Sequence, residues 1–169
     1  MNLIAIFDEE NYDKSWKMIE RSSVRAVIMR GTEVALVKYG EGYYKFPGGG
    51  IEDGESHADT LIREVLEETG LTVLPDSIRE IGEVREIRKS YKHDDAIYFG
   101  CSYYYRASVG DEVVAPSYTE EELGEGCSFE WVDIEKAYDI NMRFSRRDYK
   151  FKPEFRDACI MKKLIDDRK

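Results

Sequence analysis

Apolar residues in this chain fall into short runs of β-branched and aromatic side chains, which glycine, proline or charged residues interrupt. Two of these runs, residues 24–29 and 34–39, enclose the segment 30–33 and predict a β-hairpin. A Pro-Gly-Gly-Gly stretch at 47–50 ends another short run. The remaining predicted strands cover residues 3–7, 43–46, 71–74, 81–88, 96–107 and 129–132.

A different spacing of apolar residues, three and four apart, begins near residue 57 and predicts a helix over His57–Thr69. Ser56 can cap the first turn together with Asp59, which lies three residues on. Gly70 follows the last turn, where a left-handed residue is typical. The apolar stripe of this helix comprises Ala58, Leu61, Ile62, Val65 and Leu66.

Two further helices and one long loop complete the predicted pattern. The helices are expected over residues 134–138 and 154–167, and an acidic loop is expected over 111–127. Strands interspersed with a few helices indicate an α/β fold in which a mixed sheet packs between helices. The chain has 169 residues, of which 42% are hydrophobic, and this predicts a single domain spanning residues 1–169.

No targeting or membrane segment is recognisable in the sequence. The first apolar run is short and lacks a basic n-region, and no run approaches the roughly 18 apolar residues of a membrane span. Cys101, Cys127 and Cys159 are odd in number and far apart, which is typical of free thiols in a reducing compartment. We therefore expect a cytoplasmic protein without a membrane partner.

The charge is acidic and unevenly distributed. The formal net charge is -10. Residues 49–71 carry seven acids against one base, and residues 111–135 carry nine acids and no base. Proteins that rely on non-specific nucleic-acid contacts are usually basic, so we expect no stable nucleic-acid complex. An acidic protein that acts on a polyanion needs cations between the two.

The first acidic block contains carboxylates at a spacing suited to a metal ion. Glu64, Glu67 and Glu68 fall within about 100° of arc on one helical turn, where they repel one another unless a cation neutralises them. Sets of oxygen ligands suit Mg²⁺ or Mn²⁺. Glu55 can approach the same corner, Arg63 can hold a glutamate in place, and a carbonyl of the glycine turn could complete the coordination.

The joint spacing within residues 49–71 is more specific than any single residue. It reads Gly49, five residues, Glu55, seven residues, Arg63-Glu64-Val65, one residue, Glu67-Glu68, one residue, and Gly70-Leu71. This pattern resembles the Nudix box at every fixed position, and segments 46–50 and 130–133 extend the resemblance to Nudix hydrolases. The resemblance implies an α/β/α sandwich. It also implies hydrolysis of a nucleoside diphosphate linked to another group X, with Mg²⁺ or Mn²⁺.

The resemblance also implies roles for individual residues. The implied metal ligands are the Gly49 carbonyl and the carboxylates of Glu64, Glu67 and Glu68. Arg63 and Glu55 would form the pair that orients the helix, and Glu64, Glu67 and Arg63 would form the catalytic set. Glu64 is the first choice for the general base. The acids at 120–122 are the alternative, because some members of the family use a later loop.

Substrate contacts are less sharply indicated. Aromatic rings can stack on a nucleobase, and basic side chains near the glycine turn can reach phosphates. The candidates are Arg25, Lys38, Tyr43, Lys45 and Glu121. The expected partner is a small-molecule nucleotide, by default a nucleoside triphosphate or a nucleotide sugar. Two alternatives stay open, a nucleotide-sensing module without catalysis and a Nudix-fold isomerase of prenyl diphosphates. Homodimers are common among proteins of this kind.

Overall fold

The computed structural model describes residues 1–145 and 153–168. No helix within these ranges is both long and apolar enough to cross a membrane. The strands are β1 (Leu3–Asp8), β2 (Lys17–Val27), β3 (Met29–Arg30), β4 (Glu33–Lys38), β5 (Tyr44–Lys45), β6 (Leu71–Val73), β7 (Arg79–Lys89), β8 (Ala96–Arg106), β9 (Val109–Val113) and β10 (Ser128–Asp133). The helices are α1 (His57–Thr69), α2 (Glu120–Gly124), α3 (Ile134–Ser145) and α4 (Pro153–Asp166).

The larger sheet is mixed and has the strand order β1-β7-β8-β2. Its outer pairs, β1 with β7 and β2 with β8, are parallel, whereas the central pair is antiparallel. Strand β2 begins at Lys17, seven residues before the predicted start. The first part of β2 is largely exposed, so it lacks the alternating apolar pattern from which strands are predicted.

The predicted hairpin is confirmed, although its first strand is divided between two sheets. Met29 pairs with Val34 and Arg30 with Glu33 across the turn. The second sheet has the order β10-β4-β3, with β5 paired to β4. The residues that precede β3 belong to β2 in the larger sheet, and the Ala35 amide bonds the Ile28 carbonyl at 3.0 Å where the two sheets meet.

The segment expected to be an acidic loop contains regular structure. Strand β9 pairs antiparallel with β6, and α2 forms one short helix within the same segment. Helix α3 is also longer than predicted, since it continues to Ser145. These elements were missed because β9 and α2 are almost wholly exposed and carry no apolar period.

Side chains on β2 alternate between two apolar clusters, one on each face of the sheets. Val24 and Ala26 pack with Leu61 and Val65 of α1. Val27, on the opposite face, belongs to the cluster that contains buried residues of α3 and α4. The chain thus has helices on both faces of its sheets, and the predicted α/β/α arrangement is confirmed.

Helix α1 occupies the predicted residues, but it is rotated relative to the predicted stripe. Its capping box between Ser56 and Asp59 is formed, and Gly70 ends it in the left-handed conformation. Leu66, expected in the core, is 39% exposed, whereas Glu68 is only 5% exposed. The prediction for Leu66 was wrong because the helix turns Glu68 toward the glycine turn rather than toward solvent.

Helices α3 and α4 fix the chain that leads into the glycine turn. The amide of Asn141 bonds both the N–H and the carbonyl of Tyr44, at 2.9 and 2.8 Å. Asp157 is fully buried and accepts hydrogen bonds from the Phe46 amide at 3.1 Å and the Tyr104 hydroxyl at 2.5 Å. Buried side chains from two helices therefore determine where the glycine turn begins.

Candidate active site

The glycine turn lies along the second half of β2. The Val24 amide donates to the Gly49 carbonyl at 3.0 Å, and the Ala26 amide donates to the Pro47 carbonyl at 2.8 Å. These two backbone hydrogen bonds hold the turn alongside β2, in the way that a neighbouring strand is held. A carbonyl oxygen has two lone pairs, so the Gly49 carbonyl can accept from Val24 and still serve as a ligand.

Gly49 gives the turn close contact with α1. A Cβ atom at this position would overlap both oxygens of the Glu64 carboxylate. Gly48 lies at φ +139°, and a Cβ there would overlap the Val24 carbonyl. Only glycine allows the backbone to pass this closely between a strand and a carboxylate. The turn and the helix thereby bring the Gly49 backbone against the Glu64 carboxylate.

Arg63 connects the start of α1 to the loop before it. Its guanidinium makes a bidentate pair with Glu55, with Nε–Oε1 and Nη2–Oε2 distances of 2.7 and 2.9 Å. The Thr60 hydroxyl donates to the same carboxylate at 2.7 Å. The Arg63 guanidinium lowers the pKa of Glu55 to about 2, with a smaller contribution from Thr60. Glu55 is therefore ionised at neutral pH and holds Arg63 in a fixed orientation.

The same guanidinium contacts two of the three box glutamates. Its Nη1 lies 2.8 Å from Glu64 Oε1 and 3.3 Å from Glu67 Oε2. Glu68 instead accepts a hydrogen bond from the Gly48 amide at 2.6 Å. In the part of the chain that the structure describes, no three acidic, histidine or cysteine side chains converge to hold an ion. The metal-ligand assignment stays a prediction.

The electrostatics of the glutamates nevertheless fit a divalent cation. Burial raises the pKa of Glu64, and burial raises the pKa of Glu68 to about 8. Repulsion from Glu64 adds to the shift at Glu68, while Arg25 opposes it. Two desolvated carboxylates beside a backbone carbonyl form an oxygen donor set, and a cation would favour their charged forms. The residues present therefore fit Mg²⁺ or Mn²⁺.

We expect Glu68→Gln to stabilise the metal-free protein at alkaline pH. The folded-state pKa of Glu68 lies above its unfolded value near 4.5, so its contribution to stability falls as pH rises from about 4.5 to 8. Glutamine keeps an acceptor for Gly48 but does not ionise. In urea unfolding with chelator, the variant should exceed the wild type by on the order of 2 kcal/mol at pH 8 and by less at pH 5. Equal differences at both pH values, or a stability gain in the exposed control Glu112→Gln, would contradict this.

The second acidic block lies beside the C-terminal end of α1. The Val114 amide donates to the Gly70 carbonyl at 2.9 Å, and the Ser117 amide donates to the Glu67 carbonyl at 2.8 Å. Glu122 adds to the raised pKa of Glu68, but its carboxylate also caps α2 by accepting from the Thr119 amide at 2.7 Å. Glu121 is exposed on the same short helix. Among the acids at 120–122, Glu122 therefore raises the pKa of a Nudix-box glutamate, Glu68, through its negative charge.

Two of the predicted phosphate contacts are engaged with other groups. Lys38 forms a salt bridge with Glu130 at 3.1 Å. The Lys45 ammonium lies 3.6 Å from the centre of the Tyr39 ring, and burial lowers its pKa. Tyr43 stacks on Tyr39 with ring centroids 5.1 Å apart. Tyr43 and Lys45 thus share one aromatic cluster.

Arg25 is the predicted phosphate contact that lies at the glycine turn. Its Nη1 donates to the Gly48 carbonyl and, at 3.3 Å, to the Phe46 carbonyl. The sequence interpretation did not include Arg21, Arg156 and Asp157. The sequence did contain a signal for Arg156 and Asp157. On a helix, their spacing places them on the same face as the apolar Ile160, Met161 and Leu164. Charged residues on the apolar face of a helix are seldom buried without a role.

A family model described as the NUDIX domain matches residues 20–155. The chain belongs to the NUDIX family. The match includes the glycine turn, α1 and the first residues of α4, and it ends just before Arg156 and Asp157.

Curated relatives of this NUDIX chain match it over limited segments. An RNA pyrophosphohydrolase of Vibrio cholerae is 51% identical over 35 residues, which is 21% of this chain and 20% of the relative. Nucleoside diphosphate-linked moiety X motif 6 of Mus musculus is 36% identical over 93 residues, which is 54% of this chain and 26% of the relative. The matched part of the NUDIX chain thus spans about a fifth to a quarter of the length of these relatives.

Solved structures match the NUDIX chain over most of its length. A NUDIX hydrolase from Nitrosomonas europaea has a TM-score of 0.59 at 20% identity and covers 88% of this chain and 90% of its own. A MutT structure from work on Aliivibrio salmonicida and Vibrio cholerae has a TM-score of 0.54 at 22% identity, covering 88% and 99%. At these identities the likeness establishes the fold alone.

Proposed function

We propose that this chain is a Mg²⁺- or Mn²⁺-dependent pyrophosphohydrolase that cleaves a diphosphate bond in a nucleoside diphosphate linked to another group. The observation that carries the proposal is the packing of the Glu64 carboxylate against Gly49, with Glu67 and Glu68 on the same helix. The names of the curated relatives, an RNA pyrophosphohydrolase and a nucleoside diphosphate-linked moiety X motif protein, support the same reaction class.

The metal would be held by Glu64, Glu67, Glu68 and the Gly49 carbonyl. When bound, it would neutralise phosphate oxygens and lower the pKa of a water molecule. The chain's own residues orient this set. Glu55 fixes Arg63, and Arg63 in turn holds the carboxylates of Glu64 and Glu67 on one side of α1.

Glu64 is the residue we propose to accept the proton of the attacking water. A carboxylate within hydrogen-bond reach of the attacking water can accept its proton. Its carboxylate lies against the glycine turn, where the diphosphate would approach the backbone. No covalent intermediate is required, because the water attacks phosphorus directly and the second phosphate leaves with the electron pair.

A substrate panel tests the reaction class. Nucleoside triphosphates, nucleotide sugars, ADP-ribose and dinucleoside polyphosphates would each be incubated with Mg²⁺ or Mn²⁺, and the products identified. We expect cleavage of a diphosphate bond that chelator abolishes. An unchanged ligand that binds tightly would indicate the sensing module instead, and conversion of a prenyl diphosphate to its isomer would indicate the isomerase.

Glu64→Gln should lower kcat by about 10²–10⁴-fold, which is the usual contribution of a general base. The measurement is steady-state hydrolysis of the substrate found in the panel, across pH 6–9. A matched variant, Glu122→Gln, should retain most of its activity, because the Glu122 side chain caps α2. If Glu64→Gln were close to the wild type and Glu122→Gln inactive, the base would lie in the 120–122 segment.

Further predictions concern the partners, location and domain organisation of the chain. A small-molecule nucleotide is the proposed partner, no stable nucleic-acid complex is expected, and homodimers are common among such proteins. The cytoplasmic location and the single domain over 1–169 likewise stay predictions. Size-exclusion chromatography with light scattering would determine the oligomeric state directly.

A further inference from the structure

A small cavity lies beside the glycine turn, on the side of β2 and β8. Its volume is about 170 Å³. The turn contributes Gly49 and Gly50, β2 contributes Arg21 and Arg25, and Ser102 and Arg156 come from β8 and α4. Three arginines converge here in a chain whose formal net charge is -10. Gly49, whose carbonyl is a proposed metal ligand, thus also lines this cavity.

Two arginine nitrogens at this cavity are buried without an acceptor among the described residues, Nε of Arg25 and Nη2 of Arg156. Arg156 is 8% exposed, and its other nitrogens bond Asp157 at 3.1 Å and the Ser102 hydroxyl at 3.0 Å. Leaving a buried donor unsatisfied costs about 1–3 kcal/mol. Both donors therefore favour an anionic acceptor supplied by a ligand.

Arg21 joins this cavity to the cleft that contains the acidic residues. Its Nη2 would lie 3.6 Å from a Cβ built on Gly50, so the guanidinium lies over the turn. Arg21 and Gly50 also line an adjoining cleft of about 480 Å³, whose wall includes Glu52 and Glu64. A chain of phosphates beside Glu64 can thus continue past Gly50 toward Arg25 and Arg156.

The size and charge of the cavity indicate a phosphoryl group. Pockets that hold whole drug-sized ligands have about 300–1,000 Å³, so 170 Å³ is too small for a nucleoside. Guanidinium groups bind phosphate oxygens through paired N–H donors. Glu86, an acid in the cavity wall, is neutralised by Arg88, whose Nε lies 2.5 Å from its Oε1.

We propose that Arg21, Arg25 and Arg156 bind a phosphoryl group of the substrate that lies beyond the cleaved diphosphate. The substrate class is then a nucleoside triphosphate, or another compound with at least three consecutive phosphates, in preference to a nucleotide sugar. This assignment of substrate rests on the proposed pyrophosphohydrolase reaction, but the anion site itself can be tested without it.

Binding of inorganic tripolyphosphate to the full chain in chelator, measured by calorimetry, tests the site. We expect Arg21→Gln and Arg156→Lys to weaken binding by about tenfold, which corresponds to the loss of one charge-assisted hydrogen bond. Arg106→Gln is the matched control, because Arg106 is exposed at the end of β8 and carries the same charge. Equal affinities for the Arg21 and Arg106 variants would overturn the proposal.

Kinetics separate this proposal from the proposed function. Arg21→Gln should raise KM for a nucleoside triphosphate by about tenfold, whereas the control Arg106→Gln should keep both KM and kcat within twofold of the wild type. Arg21 is exposed, so its variant is the principal probe. Thermal melting tests whether Arg156→Lys is folded.

If tripolyphosphate binding depends on Arg21 but no diphosphate is cleaved, the proposed reaction is refuted and the anion site is supported. If triphosphates are cleaved and Arg21→Gln behaves as the wild type, the proposed anion site is refuted and the proposed reaction is supported.

Discussion

Glu67→Gln is expected to lower kcat/KM by at least about 100-fold at ordinary Mg²⁺ concentrations, while the free energy of unfolding changes by less than about 0.5 kcal/mol. The side chain of Glu67 is 45% exposed, and Arg63 Nη1 contacts it at 3.3 Å. Removing this charge leaves the apolar face of α1 untouched, so the loss falls on metal binding rather than on folding.

The measurement is a titration of activity with Mg²⁺ alongside urea unfolding of the same preparations. Glu135→Gln is a suitable control, because Glu135 is exposed in the first turn of α3. It should match the wild type in both assays. Full activity of Glu67→Gln at ordinary Mg²⁺ would refute the metal-site assignment, whereas loss of both activity and folding would show a structural role.

Asp157→Ala should destabilise the fold by about 3–5 kcal/mol. Asp157 is fully buried and accepts hydrogen bonds from the Phe46 amide, the Tyr104 hydroxyl and Arg156 Nε. Alanine would leave the Arg156 guanidinium buried without its carboxylate and two further donors unsatisfied. The free energy of unfolding in urea, at neutral pH, measures this loss.

Asp166→Ala, at the end of the same helix, provides the comparison. Asp166 pairs with Lys162 at 2.6 Å, and both side chains are about half exposed. Exposed pairs contribute about 0–1 kcal/mol, so this variant should unfold close to the wild type. A loss of under 1 kcal/mol for Asp157→Ala would mean that the Phe46 amide and Arg156 find other partners.

Local spacing carried enough information to predict α1 and the hairpin. The capping box of Ser56 and Asp59 and the left-handed Gly70 depend on residues within one or two turns of each other. The turn 30–33 depends on its own four residues in the same way. Such features can be predicted from the sequence because the interactions that stabilise them join residues that are close together in the chain.

Burial of charged side chains was not predictable in this way. Glu68 is turned inward because the Gly48 amide and Arg25 lie opposite it, and both belong to segments that only the tertiary fold brings there. The same holds for Arg156 on α4 and Ser102 on β8. Hydrophobic periodicity placed Leu66 inside and Glu68 outside, since it cannot represent a polar partner from another element.

The parallel pairing of β2 with β8 has a consequence for the order of folding. Lys17–Val27 must meet Ala96–Arg106 across some 70 intervening residues, and loop-closure entropy makes such long-range pairing slow. The β3–β4 turn and α1 close over short stretches of chain and can form early. Because the arginine cavity needs β2, β8 and α4 together, tripolyphosphate affinity would be acquired in the last phase of refolding.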